Sequence, residues 1–300
     1  MSEFEGKVVI ITGAGGGLGK AHALEFARRG AKVVVNDLGG SVDGSGKSDA
    51  ADLVVEEIKS AGGTAIANKA SVSDREGAQS IVNDAVEAFG TVDIVVNNAG
   101  ILRDKSFKNM TMDEWDLVIA VHLNGTAYVT HAAWPIMYEK NYGRVVFTSS
   151  GSGIWGNFGQ GNYGAAKMGM LGLMNVLALE GASHNIKVNC LAPGAATRMT
   201  ATVPGRDPVD VDNPPPERAP SLVTPAVMFM CSEDAPSGKV FQASGGNFSM
   251  AAMYANDGVN LGTDASFESF LENKDKIMDM SKAEDGVERR KRQRAARSQS

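Results

Sequence analysis

The sequence predicts an α/β protein: a doubly wound parallel sheet of about seven strands with helices on both faces. Two observations carry this. Short β-branched runs alternate with longer helical stretches along most of the 300 residues, an alternation whose regularity implies right-handed crossovers. Several of the runs, Val8-Val9-Ile10-Ile11 and Val33-Val34-Val35 among them, are apolar throughout, as parallel strands covered on both faces tend to be.

In order, the strand candidates are residues 7–12, 32–36, 64–69, 92–97, 144–149, 187–191 and 239–243. Helical segments fall near 18–29, 49–60, 74–88, 112–139, 161–182 and 221–232. Ser73 with Glu76, and Thr111 with Glu114, each have the spacing that starts a capping box. Two stretches interrupt the rhythm. Residues 39–48 are a Gly/Ser-rich loop, and residues 200–220 carry Pro204, Pro208, Pro214, Pro215, Pro216 and Pro220, the composition of a flap or a mobile connection. After Ser249 the pattern weakens. The organisation expected is one dinucleotide-binding and catalytic domain over 1–250, an extension over 251–286, and a basic, disordered tail over 287–300.

Composition narrows the function classes. At 43% hydrophobic and 21% charged residues the chain resembles an ordinary soluble globular protein, long enough to bury a core without disulfide or metal staples. No apolar run reaches the 18 or so residues of a membrane span, and no basic segment precedes a long apolar stretch near the start. A cytoplasmic protein without membrane partners is expected. The net charge is −6, yet Arg289, Arg290, Lys291, Arg292, Arg294 and Arg297 crowd the last residues against the single acid Glu288. The remaining body is therefore more acidic still, which argues against a nucleic-acid partner. Cys190 and Cys231 sit in apolar surroundings and read as buried, reduced thiols. His22, His122, His131 and His184 form no metal-binding pair, so no metal is expected.

Three motifs carry chemistry. Thr12-Gly13-Ala14-Gly15-Gly16-Gly17-Leu18-Gly19 follows an apolar strand and opens a helix. Glycine in such a turn lets the backbone approach a pyrophosphate, and the helix N-terminus offers free N–H groups. The strict G-x-G-x-x-G spacing is absent; glycine stands at 13, 17 and 19. A P-loop reading fails twice. Ala14 and Ala21 break it around Gly19-Lys20, and Ser41 breaks it ahead of Gly46-Lys47-Ser48. Asp37, ending the second strand about 20 residues beyond the turn, is placed to accept hydrogen bonds from an adenosine ribose. Its charge would repel a 2′-phosphate, and no Lys or Arg follows at 38–40, so NAD is favoured over NADP. Lastly, Tyr163 and Lys167 share a helix face at i and i+4, after a glycine-rich loop that begins at Ser150.

In this order, Gly13, Gly17 and Gly19, Asn97-Asn98-Ala99-Gly100, Asn124, Ser150, Tyr163-x-x-x-Lys167 and Pro193-Gly194 resemble the short-chain dehydrogenase/reductase superfamily, over roughly residues 5–248. Val35-Asn36-Asp37-Leu38-Gly39-Gly40 and Asn97 through Asp104 are similar to one subgroup, the (3R)-hydroxyacyl-CoA dehydrogenase portions of peroxisomal type 2 multifunctional enzymes. This chain carries no hydratase or sterol-carrier segment and has its own Pro-rich stretch.

The resemblance implies a Rossmann-like fold, a homodimer or homotetramer built through helices 112–139 and 161–182, and hydride transfer between NAD and a secondary alcohol. A 3-hydroxyacyl-CoA or a steroid-like alcohol is the expected substrate. Tyr163 would exchange the hydroxyl proton, Lys167 lower its pKa, Ser150 hold the substrate oxygen and Asn124 anchor a relay water. Gly13, Gly17, Leu18, Gly19, Asp37, Ser71, Val72, Asn98, Tyr163, Lys167, Ala195 and Thr197 would bind the cofactor. The physics permits the central step. Bringing a phenol from about 10 to about 7 takes roughly 4 kcal/mol, and one positive charge about 4 Å away supplies on the order of 4 kcal/mol at an effective dielectric of 20. An NADPH-dependent biosynthetic ketoreductase and a non-catalytic nucleotide-sensing scaffold are the alternatives. Asp37 argues against the first, and the intact Ser150, Tyr163 and Lys167 against the second.

Overall fold

A computed structural model describes residues 3–41, 43–46, 48–195, 210 and 214–297. Thr197 and most of the proline-rich stretch lie outside the described residues. The chain divides into two compact units, Met1–Met250 and Ala251–Ser300.

The first unit alternates strand and helix as expected: β1 (Val8–Thr12), α1 (Gly17–Arg28), β2 (Lys32–Asn36), α2 (Ala50–Ser60), β3 (Thr64–Asn68), α3 (Arg75–Phe89) and β4 (Ile94–Asn97). Then come α4 (Met112–Ile119), a π-helical turn (Ala120–Asn124), α5 (Gly125–Glu139), β5 (Gly143–Thr148), α6 (Gly151–Trp155), α7 (Gly161–Glu180), β6 (Ile186–Gly194), α8 (Thr224–Cys231), β7 (Val240–Ser244) and β8 (Asn247–Ala251). The sheet has eight strands in the order β3-β2-β1-β4-β5-β6-β7-β8, one more than expected. Seven are parallel, with Ile10 beside Val34 on one side and Val95 on the other. The eighth joins through Gly245-Gly246, both at positive φ (55° and 79°), a two-residue turn that only an antiparallel hairpin admits.

The strands bury both faces. All five residues of β1 and all six of β5 are buried. Alternate side chains Val9, Ile11, Val33, Val35, Ile94 and Val96 form one core with Phe26 of α1, Val54 and Ile58 of α2, and Val227 and Met230 of α8. Helices α3, α5 and α7 pack against β1, β4, β5 and β6. Because the order steps outward in both directions from β1 and β4, their adjoining carboxyl ends form a topological switch point, where such sheets open a crevice.

Local signals met mixed outcomes. The Thr111–Glu114 capping box is present in both directions (3.2 and 3.0 Å). At α3 the cap is Asp74 instead, its carboxylate accepting the Gly77 N–H at 2.8 Å, while Ser73 pairs with Ser71. The stretch after Ser150, read as loop, begins with the short helix α6, which Ser150 caps by accepting the Ser152 N–H at 3.1 Å.

The second unit holds β9 (Tyr254–Ala255) paired antiparallel with β10 (Glu284–Asp285), and the helices α9 (Phe267–Glu272), α10 (Lys274–Met278) and α11 (Gly286–Arg297). The basic segment expected to be disordered is helical through Arg297, with Arg289 tied to Asp257 at 3.1 Å and Arg292 to Glu284.

At the amino ends of the strands a polar network closes the sheet. Arg144 is wholly buried and donates to the carbonyls of Gly143, Asn185 and Ser232 (each 2.9 Å) and to Glu233 (3.1 Å). Arg144→Met keeps the volume and strands those acceptors; it is expected to cost about 3–5 kcal/mol, read as a lower urea midpoint with an unchanged slope.

Candidate active site

The largest concentration of expected site residues lies at the switch point. A cleft of about 360 Å³ opens beyond the carboxyl ends of β1 to β6. Gly13, Gly17, Leu18, Asp37, Ser71, Val72, Asn98, Ser150, Tyr163, Lys167 and Ala195 all line it.

At the β1–α1 turn the glycines are required by space as well as by conformation. Gly13 has φ 65°, and a Cβ there would lie 2.7 Å from the Ala99 Cα. A Cβ on Gly19 would fall 2.2 Å from the Gly13 carbonyl oxygen. Gly19 does not line the cleft; it lets α1 approach the turn. Helix α1 starts after Gly16, which offers no side chain to cap the first-turn N–H groups, so these remain for an anion. Asp37 is held from both sides, its carboxylate accepting the N–H of Gly15 (2.8 Å) and of Gly39 (2.7 Å). Among the described lining residues Lys167 is the only cation.

Asn98 locks the neighbouring loop to this turn. Its side-chain amide donates to the carbonyls of Thr12 and Gly13, both at 3.0 Å, and its backbone N–H to the Thr12 hydroxyl at 3.0 Å. Ser71 lines the cleft with its hydroxyl turned onto Ser73 at 2.9 Å. The turn, the Asp37 carboxylate and the uncapped helix end together fit a dinucleotide.

Across the cleft stand Ser150, Tyr163 and Lys167. Tyr163 and Lys167 are 8% and 2% exposed. The lysine ammonium lies 5.3 Å from the phenol ring centre and donates to the Thr148 carbonyl, while the Ser149 hydroxyl fastens to the Lys167 carbonyl at 2.9 Å. Burial pushes Lys167 down to about 7. Burial also pushes Tyr163 up to about 12, against a hydrogen bond from Ser150 and with a further rise from Asp104. Burial thus disfavours the charged form of both groups, a desolvation that the simple picture of a phenol beside a fixed ammonium leaves out.

Asn124 is the last residue of the π-turn, directly before α5, and does not itself line the cleft. His122, two positions earlier and so about 200° around the helix, lines it instead. In the sequence His122 stands out only as one of four histidines without a metal-binding partner, and no spacing marks it otherwise. Ile101, Leu102, Leu117 and Val121 add an apolar wall.

A sequence profile described as short chain dehydrogenase matches residues 7–206. The chain is 52% identical over 258 residues to peroxisomal multifunctional enzyme A of Dictyostelium discoideum, covering 85% of this chain and 56% of that protein. It is 51% identical over 245 residues to mouse peroxisomal multifunctional enzyme type 2, covering 81% of this chain and 32% of the relative. Similar solved structures include a short chain dehydrogenase from Mycobacterium avium (TM-score 0.79, 41% identity, 92% of this chain and 95% of that one). Another is full-length peroxisomal multifunctional enzyme type 2 from Drosophila melanogaster (TM-score 0.76, 38% identity, 93% and 46%). The chain therefore spans about half or less of the multifunctional relatives it matches. With the profile running through more than half of its length, the chain belongs to the short-chain dehydrogenase family of oxidoreductases.

Proposed function

We propose that this oxidoreductase is NAD-dependent and interconverts a secondary alcohol and a ketone, acting on a 3-hydroxyacyl-CoA or a steroid-like alcohol. The observation that carries the reading is the meeting of Ser150, Tyr163 and buried Lys167 in the same cleft as the glycine turn and Asp37. Asp37 supports NAD: its carboxylate is fixed at the carboxyl end of β2, and among the described lining residues no cation stands near it to neutralise a 2′-phosphate. The same observation weighs against an NADPH-dependent ketoreductase. The apolar wall of Ile101, Leu102, Leu117 and Val121 supports a substrate with a hydrophobic body.

Bound in the cleft, an oxidised nicotinamide supplies the hydride acceptor and a second positive charge. Ser150 donates a hydrogen bond to the substrate oxygen, where charge develops. Tyr163 takes the hydroxyl proton in oxidation and returns it in reduction. Bringing its phenol from about 12 to about 7 takes roughly 7 kcal/mol. Protonated Lys167, its ammonium 5.3 Å from the ring centre, supplies part of this; a unit charge about 5 Å away is worth about 3 kcal/mol at an effective dielectric of 20. The lysine alone is not enough, so the reading couples proton transfer to the oxidised cofactor's charge.

The catalytic and cofactor roles fall within residues 1–250, with Asn124 kept as the anchor of a relay water and Thr197 as a cofactor contact. A homodimer or homotetramer is supported by apolar side chains exposed on the long helices, Tyr138, Val176 and Leu179. Among the described residues no helix is long and apolar enough to cross a membrane. A cytoplasmic site of action stays with the proposal, against peroxisomal relatives by name; cell fractionation decides.

Tyr163→Phe is expected to lower turnover at least a thousandfold while dinucleotide affinity, followed by nicotinamide fluorescence, stays within a few-fold; undiminished turnover rejects the mechanism. Asp37→Ala is expected to weaken NAD binding about tenfold and narrow the preference over NADP, which titrations with both cofactors measure. Lys167→Met should abolish turnover yet raise stability. A folded-state pKa of about 7 against an unfolded value near 10.4 means the unfolded chain binds more protons between them. The burial penalty is therefore full below pH 7 and fades as pH rises toward 10. The gain in melting temperature should be largest near pH 6 and shrink by pH 9.

A further inference from the structure

His122 is a wholly buried polar ring beside the reacting groups, and the chemistry above gives it no task. The π-helical turn Ala120–Asn124 carries it, and three neighbours hold it. Its Nε2 accepts the Ile101 N–H at 3.0 Å or, in the other tautomer, donates to the Ile101 carbonyl at 2.7 Å. Its ring meets Tyr163 edge to face, with centres 5.1 Å apart and planes at 90°. Gly100 presses close on a further side, where a Cβ would lie 2.3 Å from the His122 Cε1; glycine there makes room for the ring. The remaining nitrogen, Nδ1, has no hydrogen-bond partner among the described residues. A leucine would fill the same volume without burying an unpartnered polar atom, so packing alone does not account for histidine here.

We propose that His122 is the positioning residue of the phenol: anchored through Nε2 to the Ile101 backbone, its neutral ring fixes Tyr163 beside Lys167 and couples it to the loop after β4. The ring supplies shape as well as an anchor. Edge-to-face contact fixes the tilt of the phenol, and the Ile101 bond fixes the ring relative to Asn98, Ala99 and Gly100, which line the same cleft. Neutrality suits both tasks. Burial, with the Lys167 charge adding to it, disfavours the imidazolium, whose second positive charge would expel the proton from Lys167.

The inference rests on the hydride-transfer reading, and its test separates the two. In the full chain, His122→Ala is assayed with NAD and a medium-chain 3-hydroxyacyl-CoA, alongside NADH binding by fluorescence. The expected result is a 30- to 100-fold loss of kcat, NADH affinity within twofold of the parent, and a larger solvent isotope effect as proton transfer becomes limiting. His122→Gln keeps an amide for the Ile101 groups and removes the ring; it should retain the fold and show the same loss of kcat, which keeps the test open if the alanine variant misfolds. Either variant turning over within threefold of the parent, or losing NADH affinity in step with kcat, overturns the proposal.

A readout independent of substrate is the phenol titration followed by ultraviolet absorbance, with Tyr163→Phe identifying the signal. The groups acting on that phenol are Ser150, Lys167 and Asp104, and neither substitution alters them. Water admitted by loss of the ring should bring Tyr163 down from about 12 by at least one pH unit; an unmoved titration counts against His122. If the parent chain transfers no hydride with any alcohol, the hydride-transfer reading fails and this titration alone decides the role of His122.

Discussion

The dehydration of one amine governs this site. The buried Lys167 ammonium donates to the Thr148 carbonyl, and the Ser149 hydroxyl donates to the Lys167 backbone carbonyl, tying α7 to the end of β5. A buried ammonium without such acceptors costs far more than a domain's margin of stability. Even with them, burial draws the lysine down to about 7, and an amine balanced there answers to any charge placed nearby. The phenol is held up near 12 by the same burial. The framework thus supplies low dielectric and fixed geometry to two adjacent titratable groups, each of whose charged forms burial disfavours.

The sheet topology determines where that system can be built. β5 must end beside β4, and β4 beside β1, for Ser150 and Lys167 to face the glycine turn across one crevice. Close backbone approach then closes the near side. Asn98 reaches back to both Thr12 and Gly13, and the Cβ positions of Gly13 and Gly19 are occupied by neighbouring chain. Methyl groups at these glycines would separate β1 from the loop after β4 and widen the crevice before any ligand touched it.

Much of this was legible in the sequence, for identifiable reasons. Parallel strands buried on both faces have to be continuous apolar runs, so β1, β2 and β5 announced themselves. Tyr163 and Lys167 share one helical face, which spacing alone reveals. The strand β8 was missed because its burial pattern is exposed throughout but for one intermediate residue, leaving only the Gly245-Gly246 turn to signal it. The place of His122 was not legible for a different reason. It lies in a polar-apolar mixture within one long helical segment, and whether it faces the cleft depends on the local π-helical register, which composition does not encode. Nor does spacing carry the desolvation that opposes the simple electrostatic argument for Tyr163. That depends on a burial only the assembled fold defines.

The two edges of the sheet treat polar atoms oppositely. At the amino edge Arg144 finds acceptors in Gly143, Asn185, Ser232 and Glu233, and Lys140 pairs with Asp93 at 2.5 Å. At the carboxyl edge Asn97 Oδ1, Arg103 Nε, Asp104 Oδ1, His122 Nδ1 and Thr148 Oγ1 are buried without partners among the described residues; outside this region only His22 Nε2 shares that condition. Buried polar atoms without a partner in the chain are uncommon, and here they gather along one edge of the sheet. Thr148 and His122 line the cleft itself; Asn97, Arg103 and Asp104 flank the residues after β4 that do. Donors and acceptors that the fold holds in place beside a cleft are preorganised for a polar ligand, whereas the network around Arg144 is closed on its own chain.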